Sequence, residues 1–84
     1  MKAKPDELDL HGMTVEEAIP LVEQFLNRSA KARRHRVWIV HGKGTGTLRS
    51  EVRSYLKGHR LVYHCSPADG SRGGDGCTQV ELND

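Results

Sequence analysis

Residues 36–46 read RVWIVHGKGTG, and this stretch decides the fold. Apolar side chains in 36–40 alternate to both faces, which predicts a β-strand at the centre of its sheet. Glycine at every second position of 42–46 predicts a tight loop. The apolar spacing from Thr47 onward predicts a helix that ends near Gly58. A strand, a glycine-rich loop and a helix in this order are typical of an α/β unit.

A strand and a helix are also predicted ahead of this unit. Residues 7–11 alternate polar and apolar, which predicts a short strand with Leu8 and Leu10 on one face. Thr14 is the expected N-cap of the following helix, and Glu17 completes a capping box. An apolar stripe then continues to about residue 30. Pro20 lies inside the stripe, so we expect a kink there rather than the end of the helix.

Two further strands are predicted at residues 61–65 and 78–82, joined by a glycine-rich loop. The order βαβαββ predicts an α/β fold, an α+β two-layer sandwich with a four-stranded mixed sheet and both helices on one face. Because a chain of 84 residues rarely divides, we expect one domain over residues 7–84. Residues 1–6 are expected to form a flexible N-terminal segment.

Positive charge is concentrated in the middle of the chain. The net charge is only +2, but residues 28–60 carry ten basic side chains against a single acidic one, Glu51. Polyanions are the usual partners of such a segment, although a solvated surface is the simpler alternative. The longest apolar run is residues 37–40, which excludes a membrane-spanning helix or a signal peptide. We therefore expect a cytoplasmic protein with no membrane partner, and leave open whether Cys65 and Cys77 are paired.

Asp9, His11 and His41 are the candidate catalytic residues. Parallel strands joined by a helix end at the same edge of a sheet, so the two histidines are predicted to lie side by side. Asp9 shares the face of His11, where its carboxylate would raise the basicity of the imidazole and orient it for general acid–base chemistry. A single histidine at a strand end more often has only a packing role. Two histidines at the same edge make a packing role and a catalytic role about equally favoured.

The glycine-rich loop is the candidate phosphate-binding site. Its backbone N–H groups can approach a ligand closely, and it opens into a helix N-terminus, which attracts anions. The spacing matches neither a P-loop nor a dinucleotide fingerprint, and a tight turn is the alternative. Arg49 and Arg53 extend the basic surface along the next helix, which suits a polynucleotide backbone. Trp38 and Tyr63 could stack on bases, but core packing is the better interpretation. The loop residues are Gly42, Lys43, Gly44, Thr45 and Gly46.

Three motifs in this order resemble the Smr (small MutS-related) domain family. They are LDLHG at 8–12, VHGKGTG at 40–46 and GGDG at 73–76, and the match extends over residues 7–82. The ending and the motif order are most similar to the C-terminal Smr domain of bacterial MutS2 proteins. The resemblance implies the fold of the C-terminal domain of bacterial translation initiation factor three. In that fold the fourth strand runs antiparallel between the second and the third.

The resemblance also implies a function. It implies an endonuclease that nicks DNA, as in suppression of recombination by MutS2 proteins, or that cleaves RNA in other members. The implied partners are DNA, branched DNA included, or RNA, with the ribosome left open, and a longer MutS2-type chain whose other domains dimerise. The implied location is cytoplasmic and associated with the nucleoid.

The family motifs place the implied site on residues 8–11 and 41–46 of this sequence. The alternative is a non-catalytic nucleic-acid or ribosome-binding module, since binding requires the basic segment but not His11. A divalent metal, Mg²⁺ or Mn²⁺, stays open as a cofactor. Only Asp9 and Asp75 offer hard oxygen ligands nearby, so no obligatory metal site is predicted.

Overall fold

The computed structural model describes residues 5–44, 46–72 and 74–83. Most of the predicted flexible segment, the loop residue Thr45 and Gly73 of the last motif lie outside these ranges. The elements follow the predicted βαβαββ order, with two short 3₁₀ turns, Gly70–Arg72 and Gly74–Gly76, before the last strand. The elements are β1 (Glu7–Asp9), α1 (Val15–Lys31), β2 (Arg36–Val40), α2 (Thr47–Lys57), β3 (Val62–Pro67) and β4 (Cys77–Leu82).

Both helices begin and end where local signals place them. The capping box of α1 is formed, since Glu17 N donates to Thr14 Oγ1 at 3.1 Å and Thr14 N donates to Glu17 Oε1 at 3.0 Å. Helix α1 continues through Pro20 for 17 residues, and Gly58 caps the C-terminal end of α2. Neither of these helices is long and apolar enough to cross a membrane.

The sheet has the strand order β1-β2-β4-β3. Strand β1 is parallel to β2, and β4 is antiparallel to both β2 and β3, as the family resemblance implied. Strand β1 ends at Asp9, two residues earlier than predicted, because the Asp9 carboxylate accepts the backbone N–H of His11 and starts a turn. Strand β2 is central, but Trp38 and Val40 on its outer face are only half-buried. The inner face carries the core.

A single hydrophobic core lies between the helices and the sheet. Both helices contribute fully buried side chains to it, which confirms that they pack on the same face of the sheet. Burial of these apolar surfaces is the main favourable contribution to folding. The cluster consists of Leu10, Ala18, Val22, Phe25, Leu26, Val37, Ile39, Val52, Leu56, Val80 and Leu82.

Glu23 joins α1 to α2 by hydrogen bonds. Its carboxylate accepts from the Tyr55 hydroxyl, from His59 Nε2 at 2.6 Å and from Asn27 Nδ2 at 2.9 Å. His59 Nδ1 accepts the N–H of Leu61, so its Nε2 carries the proton. These donors, Tyr55 first, lower the pKa of Glu23 to about 2, while burial and the Glu23 carboxylate raise the pKa of Tyr55 to about 12.

The two cysteines lie on neighbouring strands but out of register. Cys65 is opposite Val80, and Cys77 is opposite Val40 on the other neighbour of β4. Neither cysteine forms a disulfide.

Candidate functional site

The carboxyl ends of β1 and β2 bring the first two motifs together. Asp9 is opposite Val40 in the parallel pairing, and the N–H of Leu10 donates to Val40 O at 2.6 Å. Gly42 then passes so close to β1 that a Cβ on it would lie 3.5 Å from His11 Cβ, at a φ of +83°. The positive φ favours glycine there, and the distance is that of an ordinary contact between the loop and His11. His11 and the glycine loop are therefore neighbours, as predicted.

Asp9 orients the imidazole of His11. Asp9 Oδ1 lies 2.6 Å from His11 Nδ1 and also accepts the His11 backbone N–H at 3.0 Å. This hydrogen bond raises the pKa of His11 and lowers the pKa of Asp9. Because Nδ1 donates to the carboxylate, Nε2 is the nitrogen left for proton exchange. The His11 side chain is 72% exposed, so Nε2 can reach a substrate in solvent.

His41, in contrast, points into the protein. It is only 3% exposed, its Nδ1 lies 2.9 Å from Gly42 O and its Nε2 lies 2.7 Å from Thr78 Oγ1. Arg53 Nε donates to the same hydroxyl at 3.0 Å. Thr78 therefore accepts from Arg53 and donates to His41 Nε2, which places the His41 proton on Nδ1, toward Gly42 O. Burial, aided by the nearby arginine charges, lowers the pKa of His41, so the ring is held neutral.

The two histidines thus lie at the same loop but differ in exposure, because His41 is buried and His11 is open to solvent. Val37 and Ile39 are buried on the inner face of β2, and His41, one residue beyond its end, continues that alternation inward, whereas Asp9 at the end of β1 and His11 in the turn after it are exposed. His41 lies where it holds the loop and not where it can exchange a proton with a bound phosphodiester. The alternation was a signal in the sequence that could have distinguished them, had it been continued one residue beyond Val40.

The 3₁₀ turn before β4 is hydrogen-bonded to the start of the glycine-rich loop. The backbone N–H groups of His41 and Gly42 both donate to Gly76 O at 3.0 Å. A Cβ on Gly76 would lie 3.5 Å from Gly42 C and from Lys43 Cγ. The third motif therefore holds the glycine-rich loop in position. The position of this motif in the sequence did not indicate that role. Thr78, which follows this turn, was also missed as a site residue.

A cleft of about 220 Å³ opens above the loop. Its lining includes residues 41–44, Gly12, Met13 and Arg49, and His11, which does not itself line the cleft, lies next to Gly42. Lys43 is exposed next to it. Gly46 is the N-cap of α2 and has a φ of +87°. A Cβ placed on Gly46 would lie 3.0 Å from Arg49 Nη2. The cleft therefore combines bare backbone with a guanidinium, and the proton-transfer group, His11, adjoins Gly42 of its lining.

A second cleft of about 410 Å³, which we call the basic groove, continues along α2. It shares Gly46 and Arg49 with the first cleft, and it ends at Lys57. Of the two arginines predicted to bind phosphate, Arg49 lines both clefts. Arg53 lines the groove but uses Nε on Thr78, and its Nη2 is buried without a hydrogen-bond partner among the described residues.

The described residues contain no group of three His, Cys, Asp or Glu side chains able to hold a metal ion. Asp9 already accepts two hydrogen bonds from His11, and Asp75 is exposed in the turn before β4. We therefore assign no residue as a metal ligand.

Comparison with known proteins identifies the family, because the family model of the Smr domain matches residues 8–83. The chain belongs to the Smr domain family. This Smr domain is 49% identical over 76 residues to Endonuclease MutS2 of Bacillus cytotoxicus, an alignment that covers 90% of the chain and 10% of that protein. It thus spans about a tenth of the length of the curated relatives it matches.

Solved structures confirm the fold and the MutS2-like character. This Smr domain matches the crystal structure of the Smr domain of Thermus thermophilus MutS2 with a TM-score of 0.91 and 37% identity, covering 94% of this chain and 99% of that one. It matches YdaL, a stand-alone small MutS-related protein from Escherichia coli, with a TM-score of 0.91 and 27% identity, covering 98% and 67% of the two chains. The resemblance stated from the motifs is confirmed.

Proposed function

We propose that this Smr domain is an endonuclease domain that cuts a phosphodiester backbone, with DNA nicking as the expected activity. The observation that carries the proposal is the placement of His11, oriented by Asp9, next to Gly42 of the cleft formed by the glycine loop and Arg49. The name Endonuclease MutS2 borne by the relatives supports the same reaction class. In this proposal the domain acts within a longer chain.

The chemistry proposed for the cleft is general acid–base hydrolysis. A water molecule attacks phosphorus and gives up one proton, while the bond from phosphorus to the leaving oxygen breaks and that oxygen gains a proton. His11 Nε2 exchanges the proton, a contribution of typically 10²–10⁴-fold in rate. Lys43, Arg49 and the backbone of the loop hold the non-bridging oxygens and stabilise the charge that develops on them. His41 acts in this scheme as a positioning residue, because its neutral ring fixes Gly42 O.

The Asp9–His11 hydrogen bond favours one role for His11 over the other. Because Asp9 raises the pKa of His11, the imidazolium is more populated near neutral pH than in a free histidine. An imidazolium suits the general acid that protonates the leaving oxygen. Cleavage should therefore decline as pH rises through the raised pKa. A rate that instead increases through this range would assign His11 as the general base.

The test compares His11→Ala with His35→Ala, a change at an exposed histidine at the other end of the sheet. Supercoiled DNA and structured RNA are each incubated with the purified proteins, with and without a chelator. We expect His11→Ala to cut at least about 100-fold more slowly while its affinity for nucleic acid stays unchanged. His35→Ala should retain both. Cleavage by His11→Ala at the parent rate would refute the assignment.

A non-catalytic binding module is the second candidate, and the basic groove favours it, because the groove extends away from His11. Either function requires the groove to contact phosphates. Changing Arg49 and Lys57 to Gln removes two positive charges. Each lost phosphate contact lowers the slope of log affinity against log salt by about 0.7 on single strands and about 0.9 on duplex, so the slope should fall by about 1.4–1.8. Arg28→Gln with Lys31→Gln removes the same charge from exposed positions in the last turn of α1 and should leave the slope unchanged.

The outcomes separate the two candidates. Binding that requires Arg49 and Lys57, with no cleavage of either polymer, would establish the binding module and overturn the endonuclease. If the control variant, Arg28→Gln with Lys31→Gln, lowers the salt slope of affinity by the same amount, the basic groove is not the surface that contacts phosphates.

A further inference from the structure

Tyr63 is an unusually exposed aromatic residue. It is 75% accessible and is the exposed large hydrophobic side chain of the described residues. The prediction that it packs in the core is wrong. Its position at the sheet edge explains the exposure, because β3 has β4 as its neighbour on one side and no described strand on the other.

A register shift directs Tyr63 outward. Val62 is opposite Leu82 and His64 is opposite Glu81, so Tyr63 is an extra residue between two consecutive positions of β4. Such bulges bend an edge strand and re-aim a side chain, and they are frequent beside functional sites. They also make the edge a poor template for pairing with another strand.

A cleft beside Tyr63 shares Lys57 with the basic groove. This cleft of about 220 Å³ is lined by Lys57, residues 62 and 64–65, and the Tyr63 ring. Lys57 also closes the far end of the basic groove, which shares Arg49 with the cleft above the glycine loop. Because neighbouring clefts share lining residues, Arg49 and then Lys57, we treat the three as one surface from the loop to Tyr63, which we call the α2 track. None of the described residues that line it is acidic.

The dimensions of the α2 track suit a polynucleotide. Helix α2 has 11 residues, so the track runs for about 15 Å. Its basic residues Arg49, Arg53 and Lys57 recur every four positions, with a rise of roughly 6 Å between neighbours. That spacing is comparable to the separation of successive phosphates on an extended single strand. Ser50 and Ser54 place hydroxyl groups between them.

An open aromatic ring at the end of a row of cations is the combination that binds single-stranded nucleic acid with little sequence preference. The cations follow the backbone, and the ring stacks on a base face. A duplex hides its base faces within the stack, so it offers the ring nothing to stack on. We propose that the α2 track binds an unpaired segment of nucleic acid, with its phosphates along α2 and a base stacked on Tyr63. This inference rests on the proposed function and adds the class of substrate.

The experiment measures the affinity of the protein and of Tyr63→Ala for three probes. They are a single strand of about ten nucleotides, within the usual site size, the same strand with abasic positions, and its duplex. Tyr63→Ala should bind the intact strand about 5- to 150-fold more weakly, the range expected for loss of one stacked base. It should bind the abasic strand and the duplex as the parent does. Tyr63→Phe keeps the stacking face and should keep the affinity.

Two readouts keep the test independent of folding. An unchanged thermal melt of Tyr63→Ala is expected, because the side chain is 75% exposed. In the parent protein the ring protons of Tyr63 should shift upfield in NMR spectra when the intact strand binds and stay in place with the abasic strand. An equal loss of affinity for intact and abasic strands would overturn the stacking role.

Unchanged affinity of Tyr63→Ala for all three probes would also overturn the proposal and leave Tyr63 as a contact for another protein surface. The Arg49→Gln, Lys57→Gln pair separates this failure from failure of the proposed function. If the pair weakens binding and Tyr63→Ala does not, only the stacking platform is wrong. If neither change alters binding to any probe, the α2 track does not bind nucleic acid.

Discussion

Replacing Thr78 with valine should detach the glycine loop from α2. The Thr78 side chain is fully buried, and its hydroxyl accepts from Arg53 Nε at 3.0 Å and donates to His41 Nε2 at 2.7 Å. Valine fills nearly the same volume but offers neither hydrogen bond. Thr78→Val therefore removes the polar link between the helix and the loop while leaving the packing almost intact.

The expected cost follows from the two groups left behind. A buried polar group that loses its partner costs about 1–3 kcal/mol, and here two groups lose it. Because Arg53 is half-buried and water can reach part of it, we expect a total of about 2–4 kcal/mol. A domain of this size has a free energy of unfolding of about 4–13 kcal/mol, so the variant should still fold. Its Tm should fall by roughly 4–8 °C for each kcal/mol lost.

Thr78→Ser is the matched control, because it keeps the hydroxyl and loses one methyl group, at a cost of about 1 kcal/mol. Chemical denaturation of both variants, followed by the fluorescence of Trp38, measures the difference. Thr78→Val should be less stable than Thr78→Ser, and it should bind single-stranded nucleic acid more weakly because the ring of His41, which contacts Gly42 O, loses the partner that fixes its other nitrogen. A Thr78→Val protein as stable as Thr78→Ser would refute the role of the hydroxyl network.

Two further predictions concern the charged hydrogen bonds. Asp9→Asn should lower the pKa of His11 toward its ordinary value, because the Asp9 carboxylate is what raises it, and an NMR titration of the His11 ring that shows no change would contradict this. The pKa of Glu23 lies at about 2 in the folded protein and near 4.5 without its donors, so its contribution to stability is complete above about pH 4.5 and is lost as pH falls toward 2. Glu23→Gln should flatten the decline of unfolding free energy over that range, whereas Glu51→Gln, at an exposed position on α2, should not.

The helices and central strand were predictable because their signals are local. The capping box of α1, the glycine after α2 and the alternation in β2 each depend on residues within one or two turns of each other. The position of β4 between β2 and β3 depends on long-range pairing, and only the family resemblance indicated it. The strand ends shifted by one or two residues, because side-chain hydrogen bonds and 3₁₀ turns compete with the ladder at its edges.

The candidate site shows the same division. The strand–loop pattern was enough to place His11 beside the glycine loop, because two parallel strands joined by one helix must end at the same edge. That His11 is exposed and His41 is buried depends on which segments cover each face of the sheet. His41 is enclosed because Thr78 and Arg53 meet it from β4 and α2, at sequence distances of 37 and 12 residues.

By itself, the sequence determined the order of the elements, the partition of polar and apolar faces and the concentration of basic residues in 28–60. Only the tertiary structure divided those basic residues between two places. Residues 28–36 lie around the start of β2, while Lys43, Arg49 and Lys57 lie along the loop and α2. The tertiary structure also placed Tyr63 at the end of the row of basic residues on α2, through a β-bulge that no local sequence pattern predicted. The physical reason is that periodicity depends on neighbours in the chain, whereas a surface is composed of residues that the packing of the core brings together from distant segments.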